Sequence, residues 1–347
     1  MLTNYPGTAS YINSLSFPVK QGSQGMANTS MGMEALEVHA ERQQGRRAFF
    51  RAALGAAAVG SGAFLVSQAA QAQTLSEFDV LNFALNLEYL EANFYYYAVY
   101  GQAIPVSATG GTGAAGAATG GKQVTFSDRI IAEMAREIAE DELNHVLFLR
   151  RQLGERAVAQ PAIDLSVSPT SAFSKAAQAA TLIPTTASFD PYASDLNFLY
   201  GAFLFEDVGV TAYKGSSALI TTPAYIDAAA GILAAEAYHA GIIRTTIDQM
   251  GSMPGLKAST VRGDTELVST ARDSLDGSTD LDQGIAYVAS NAGDTSNIAP
   301  TDTNGLAFSR SAGQVLNIVY LTKAEATAGG FFPAGVNGAI RSSINNA

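Results

Sequence analysis

Four stretches of the chain place apolar residues three or four positions apart, and each is bounded by residues that start or stop a helix. The first runs from a cap at Ser76 to Tyr100 and is stopped by Gly101; the second runs from a cap at Thr125 to Leu153 and is stopped by Gly154. A third covers about Asp195 to Leu219, and a fourth about Ala224 to Met250, stopped by Gly251. Each holds roughly 25 residues, about 37 Å at 1.5 Å per residue, rods that suit a bundle. The links set the topology. Ile220 to Pro223 is too short to do more than reverse the chain, so the third and fourth helices should pair antiparallel. Between the second and third lie about 40 residues with Pro161, Pro169, Pro184 and Pro191, enough to cross the bundle and return. The run from Gly101 to Lys122, with GGTGAAGAATGG, reads as a flexible surface insertion.

The apolar stripes are interrupted at matching places. On the second helix Ile131, Ala135, Ile138, Glu142, His145, Leu149 and Leu153 share a face, and on the fourth Ile232, Ala235, Glu236, His239, Ile243, Ile247 and Met250 do. A Glu and a His three apart on a helix point the same way and reach one ion. Arg150 and Arg244 each follow the histidine by five residues, and the bland reading of both is a solvated Arg near a helix end. On the first and third helices Glu88 precedes Tyr95 by seven residues and Glu206 precedes Tyr213 by seven. The chain thus reads as a duplicated helix pair, with a carboxylate on each odd helix and a Glu-x-x-His on each even one.

Glu88, Glu142, Glu206 and Glu236 all fall on inward stripes. Buried, ionised and unpartnered, they would cost several kcal/mol each, on the order of the penalty that real proteins pay per ion. Two divalent ions would balance the four charges, with His145 and His239 as neutral ligands. Glu91 lies three residues from Glu88 and shares its face, but Gly209 stands in its place in the other half, so it ranks as an additional ligand only. Tyr95 and Tyr213 either donate hydrogen bonds to ligand carboxylates or serve as core aromatics.

Charge and composition narrow the setting. The chain is 47% hydrophobic and 15% charged, with no cysteine, so disulfides contribute nothing and any metal ligand is a carboxylate or an imidazole. Residues 1–72 read as an N-terminal region with a twin-arginine export signal: Arg46-Arg47-Ala48-Phe49-Phe50-Arg51, an apolar run from Ala52 to Val66, and Ala70-Gln71-Ala72 suited to a signal peptidase. Gly55, Gly60 and Gly62 dilute that run, which falls short of the roughly 20 apolar residues a span needs. The expected location is therefore periplasmic or secreted, with no membrane span in the mature protein. Removing that segment takes five of 20 basic and three of 31 acidic residues, leaving 15 and 28, near −13; nucleic acid is excluded as a partner for want of a basic footprint. His145 and His239 are then the only histidines, and both lie in the repeated motif.

The segments LNFALNLEYLEANFYYY, EDELNHVLFLRRQLG, FEDVGVTAYKG and EAYHAGIIR resemble the ferritin-like superfamily, and within it the bacterial and plant desiccation-related branch. The likeness covers about residues 76–250, and FSRSAGQVLNIVY with GGFFPAGVNG carries it into the C-terminal region. It implies an all-α, ferritin-like four-helix bundle with one long crossover over residues 73–252. The remaining 253–347 form a mostly irregular extension that packs on the bundle or on a neighbour, or a separate small domain. It also implies two iron or manganese ions held by Glu88, Glu142, His145, Glu206, Glu236 and His239. The Gly-rich insertion and the long tail depart from storage ferritins, whose surfaces close into cages; a homo-oligomer is left open. Two functions are consistent with the chain: redox chemistry on peroxide or oxygen, catalase-like or Fe(II)- or Mn(II)-oxidising, linked to oxidative or desiccation stress; or a structural, protective envelope protein in which metal only stabilises the bundle.

Overall fold

Each bundle helix begins where a side chain satisfies its first free amides. Ser76 and Asp79 form a reciprocal capping box that opens α1, Glu77–Tyr100, and Gly101 ends it in the left-handed conformation. The cap of α2, Arg129–Leu153, is Asp128 rather than Thr125: its Oδ1 accepts from the amides of Ile130 (2.7 Å) and Ile131 (3.2 Å). Helix α3, Ala172–Ala179, lies inside the long connection. Ser194 opens α4, Asp195–Ser216, and α5, Pro223–Met250, starts one residue earlier than the apolar pattern suggests, with proline in its first turn where no amide is needed. The computed structural model describes residues 75–253, 255–288 and 295–346. The twin-arginine segment expected within 1–72 lies outside the described residues.

The helix ends reveal the topology. Asp195, at the start of α4, accepts hydrogen bonds from Ser127 Oγ (2.6 Å) and the Asp128 amide (2.9 Å) at the start of α2. Glu77, at the start of α1, accepts from the Thr222 amide (2.6 Å) at the start of α5. So α2 and α4 begin at one end of the bundle, and α1 and α5 at the other. The connection from α2 to α4 must therefore run the full length, as its prolines and length suggested. Helix α1 packs along α2, and α4 along α5. Helices α1 and α4 carry few charges and are buried on most faces, whereas α2 and α5 keep one side in solvent.

The Gly-rich insertion is not a loose loop. It carries β1, Ala118–Thr119, which pairs in parallel with β2, Ile163–Asp164, in the crossover. A Cβ on Gly116 would lie 2.2 Å from the Ala162 nitrogen, so glycine here permits close backbone approach rather than freedom. A row of buried polar groups on α1 holds these segments. Tyr89 Oη bonds to the Val158 carbonyl (3.1 Å) and accepts from Arg150 (2.6 Å), Asn93 donates to Gln160 (2.8 Å), and Asn86 exchanges hydrogen bonds with the Asn337 backbone (2.9 Å each).

The C-terminal extension contains α6, Ala258–Asp276, a short antiparallel pair β3–β4 (Tyr287–Val288 with Thr295–Ser296), and α7, Ala312–Tyr320. Phe331 inserts its ring 5.0 Å from both Phe173 and Phe205. Arg272 and Arg310 are buried beside Asp207, Asp276 and Asp282, and Arg244 reaches the same Asp207 (2.8 Å). The solvated reading of Arg244 is thereby corrected. Its guanidinium also donates to the carbonyls of Gln283 and Gly284, stitching α5 to the extension. Buried three-by-three, these charges are balanced, which is the condition for tolerating them in a low-dielectric interior.

Candidate metal centre

The two Glu-x-x-His helices face each other across the middle of the bundle, with Glu88 and Glu206 entering from α1 and α4. Glu88, Glu142, Glu206 and Glu236 are each 0–1% exposed. His145 Nδ1 lies 3.2 Å from Glu88 Oε2, 3.7 Å from Glu142 Oε2 and 3.8 Å from Glu236 Oε1. His239 Nδ1 lies 3.1 Å from Glu142 Oε1 and 3.5 Å from Glu206 Oε2. Two ligand groups result: Glu88, Glu142, His145 and Glu236 in one, and Glu142, Glu206 and His239 in the other, the donor atoms of each within 4.8 Å of one another. Glu142 belongs to both and presents Oε2 toward His145 and Oε1 toward His239.

These atoms have no other business. Glu88 Oε2, both oxygens of Glu142 and Glu236, Glu206 Oε2 and Nδ1 of both histidines are buried without hydrogen-bond partners. Orphaned atoms of this kind are rare in native proteins and call for an explanation. Metal coordination supplies one for all eight, and the donor set of carboxylate oxygen and imidazole nitrogen fits iron or manganese. The buried clusters are thus capable of binding a metal.

Without a cation the electrostatics are strained in a telling way. Burial holds Glu88 up to about 7, and it pushes Glu91 and Glu236 well above the usual carboxylate range with help from neighbouring carboxylates. Glu142 is also penalised by burial, but the close approach and positive charge of both imidazoles outweigh this and bring it below its ordinary value. Burial disfavours the charged imidazoles; Glu88 and Glu142 overcome it at His145, pushed up to about 11, and Glu206 and Glu142 do so at His239, pushed up to about 12. Protons therefore do in part what cations would do, and the two compete for the same lone pairs.

All six residues expected from the repeat converge here. Tyr95 and Tyr213 are hydrogen-bond donors, not merely core aromatics, and they cross the repeat: Tyr95 donates to Glu206 and Tyr213 to Glu88. Glu91 is 5% exposed and belongs to neither ligand group. Its missing counterpart has a steric reason, since a Cβ on Gly209 would sit 2.2 Å from Glu236 Oε2 and 3.4 Å from Glu91 Oε1. Asp141 escaped sequence reasoning. It is half-exposed on α2, and its Oδ2 lies 3.2 Å from His239 Nε2, where it fixes the ring so that Nδ1 faces inward. Its sequence signal was adjacency to Glu142, which puts it on the neighbouring face, but only the approach of α5 gives it a partner.

A helical bundle with a crossover of this kind and a buried, internally duplicated Glu/His centre defines a ferritin-like protein. A family model for the ferritin-like domain matches residues 76–249, half of the chain, and the chain belongs to that family. Among curated proteins it is similar to the ferritin-like catalase Nec2 of Nesocodon mauritianus, 26% identical over 273 residues that cover 76% of this chain and 85% of the relative. It is similar also to the desiccation-related protein PCC13-62 of Craterostigma plantagineum, 28% identical over 271 residues, 76% of this chain and 83% of the relative. No solved structure gives a significant match.

Proposed function

We infer that the chain is an exported protein with two iron or manganese ions that acts on peroxide or dioxygen, with peroxide disproportionation as the leading reaction. The observation that carries this reading is Glu142, whose two buried, unpartnered oxygens face two separate histidine-containing groups. One curated relative is named as a ferritin-like catalase, which favours peroxide among the substrates of such a centre. Redox-active metals would supply the change of oxidation state by which two molecules of hydrogen peroxide become two of water and one of dioxygen.

The protein's own part is positioning and exclusion. Four glutamates from four helices would balance two divalent ions, and the tyrosine hydroxyls would hold Glu88 and Glu206 in place through Oε1, leaving Oε2 for the cation. Burial of the carboxylates keeps bulk water from competing for the ligand positions. The twin-arginine pattern at Arg46 and Arg47 supports export to the periplasm or beyond.

The test is oxygen evolution from peroxide, and Fe(II) oxidation, by purified and metal-analysed protein. Two metal equivalents per chain and turnover abolished by Glu142→Ala are expected. Loaded protein that does neither reaction would sink the catalytic reading. A second reading, in which metal only fixes the bundle, is favoured by the way the ligands tie α1, α2, α4 and α5 together; it predicts a rise in Tm on loading with no turnover of any kind.

A further inference from the structure

Behind the centre, between α1 and α4, lies a small cavity of about 20 Å³, room for a molecule about the size of water, whose wall includes Leu90, Val208, Val319 and Phe331, together with Glu91 and Gly209. The roof is the C-terminal extension, through α7 and Phe331; toward the centre the wall is Glu91 and Gly209, where a Cβ on Gly209 would lie 2.2 Å from Glu236 Oε2 and 3.4 Å from Glu91 Oε1, so Glu91 stands between the cavity and the ligand cluster. One polar side chain is found in this apolar wall. Glu91 is nine-tenths buried, and it makes no hydrogen bond or ion pair with any described residue. In the second half of the repeat its position is the bare Gly209, so the duplication is broken on the side of the centre that faces the cavity.

We propose that this cavity is the binding and approach site for the small uncharged oxidant, hydrogen peroxide or dioxygen, and that Glu91 is the hydrogen-bonding group that retains peroxide there. The inference rests on the metal-centre reading. Its physical basis is exclusion by wall chemistry. An apolar wall strips the hydration shell from any ion, cation or anion, at a cost of several kcal/mol, on the order of that for a buried charge. A neutral molecule of two to four atoms does not meet that barrier. The opposite approach, between α2 and α5, is polar and acidic: Asp141 is half-exposed there beside His239, with Glu137 and Glu140 in solvent on the same helix. That edge suits the entry of cations. The two sides of the centre thus admit different reactants, and the C-terminal extension exists in part to close the oxidant side.

The test uses the full chain loaded with Fe(II), with nitric oxide as a neutral diatomic probe whose binding needs no turnover. Filling the cavity by Leu90→Phe or Val319→Phe, two variants so that failure of one to fold does not end the test, should slow nitric oxide binding by about tenfold or more. Metal content should be unchanged, and Asn144→Trp on the exposed α2 edge should leave the rate alone. The reverse pattern overturns the route. Glu91→Leu should raise the KM for peroxide and leave nitric oxide binding unaltered; loss of a metal equivalent in that variant would make Glu91 a ligand and overturn its assigned role. A chain that takes up no iron removes both the centre and the route, whereas iron uptake with slowed nitric oxide binding and no peroxide turnover keeps the route and discards the activity.

Discussion

The crossed tyrosines make the sharpest prediction. Tyr213, on α4, donates to Glu88 on α1, and Tyr95, on α1, donates to Glu206 on α4, so each hydroxyl serves the ligand group anchored on the other helix. Tyr213→Phe removes one oxygen atom and leaves the ring packing intact. The buried Glu88 Oε1 then loses its only donor among the described residues, a hydrogen bond to a charged group worth about 1.5–3 kcal/mol. That hydroxyl stabilises the ionised carboxylate, the form a cation would also require, so the loss falls on binding. The expected weakening is roughly 10- to 150-fold at the group formed by Glu88, Glu142, His145 and Glu236. Tyr95→Phe should do the same at the group formed by Glu142, Glu206 and His239. Chelator-competition titration gives the two affinities, and anomalous diffraction at the metal edge reports which position loses occupancy. Wild-type binding in both variants, or the wrong position emptied by either, would refute the crossed assignment.

Two further outcomes follow from the charges. For the metal-stripped protein, the folded-state pKa of His145, about 11, lies above its ordinary 6.5, because Glu88 and Glu142 outweigh the penalty of burial. Its stabilisation is therefore complete below about 6.5 and is lost as the pH rises through about 11; Tm should fall over that window in stripped protein and hold in loaded protein, and a flat profile for the stripped form would contradict the proton-for-metal account. In the extension, Arg310→Met would leave Asp276 and Asp282 buried without that partner, at a cost of about 3–5 kcal/mol. Calorimetry should show Tm lowered by about 6–20 °C, and a shift within error would mean that the cluster contributes little to the fold.

Much of the centre can be read along the chain because helical spacing is a local property. Glu142 with His145, and Glu236 with His239, share a face by periodicity alone, and the repeat within the chain nominates Glu88 and Glu206. Burying four carboxylates demands counter-charge wherever the helices happen to meet. Periodicity also locates the bundle helices to within a few residues, although capping by Asp128 in place of Thr125 depends on which side chain reaches the first amides.

Contacts between helices obey no such local rule. The spacing of seven residues from Glu88 to Tyr95 and from Glu206 to Tyr213, some 10 Å along the axis, marks matched positions of the repeat but does not say which carboxylate each hydroxyl reaches; the hydrogen bonds run between helices. Asp141 reads as a surface acid until α5 brings His239 to it, and Arg244 reads as a solvated cation until the extension folds over it. GGTGAAGAATGG looks flexible because glycine permits many conformations; its order comes from backbone groups of the crossover and from Asn337, more than 200 residues away. Sequence by itself determined which side chains share a helix face, and so the ligand types and their pairing. Tertiary structure decided which faces meet, and with them the sharing of Glu142 between two ligand groups, the crossed tyrosines and the cavity beside Glu91, because those depend on the docking of surfaces distant in the chain.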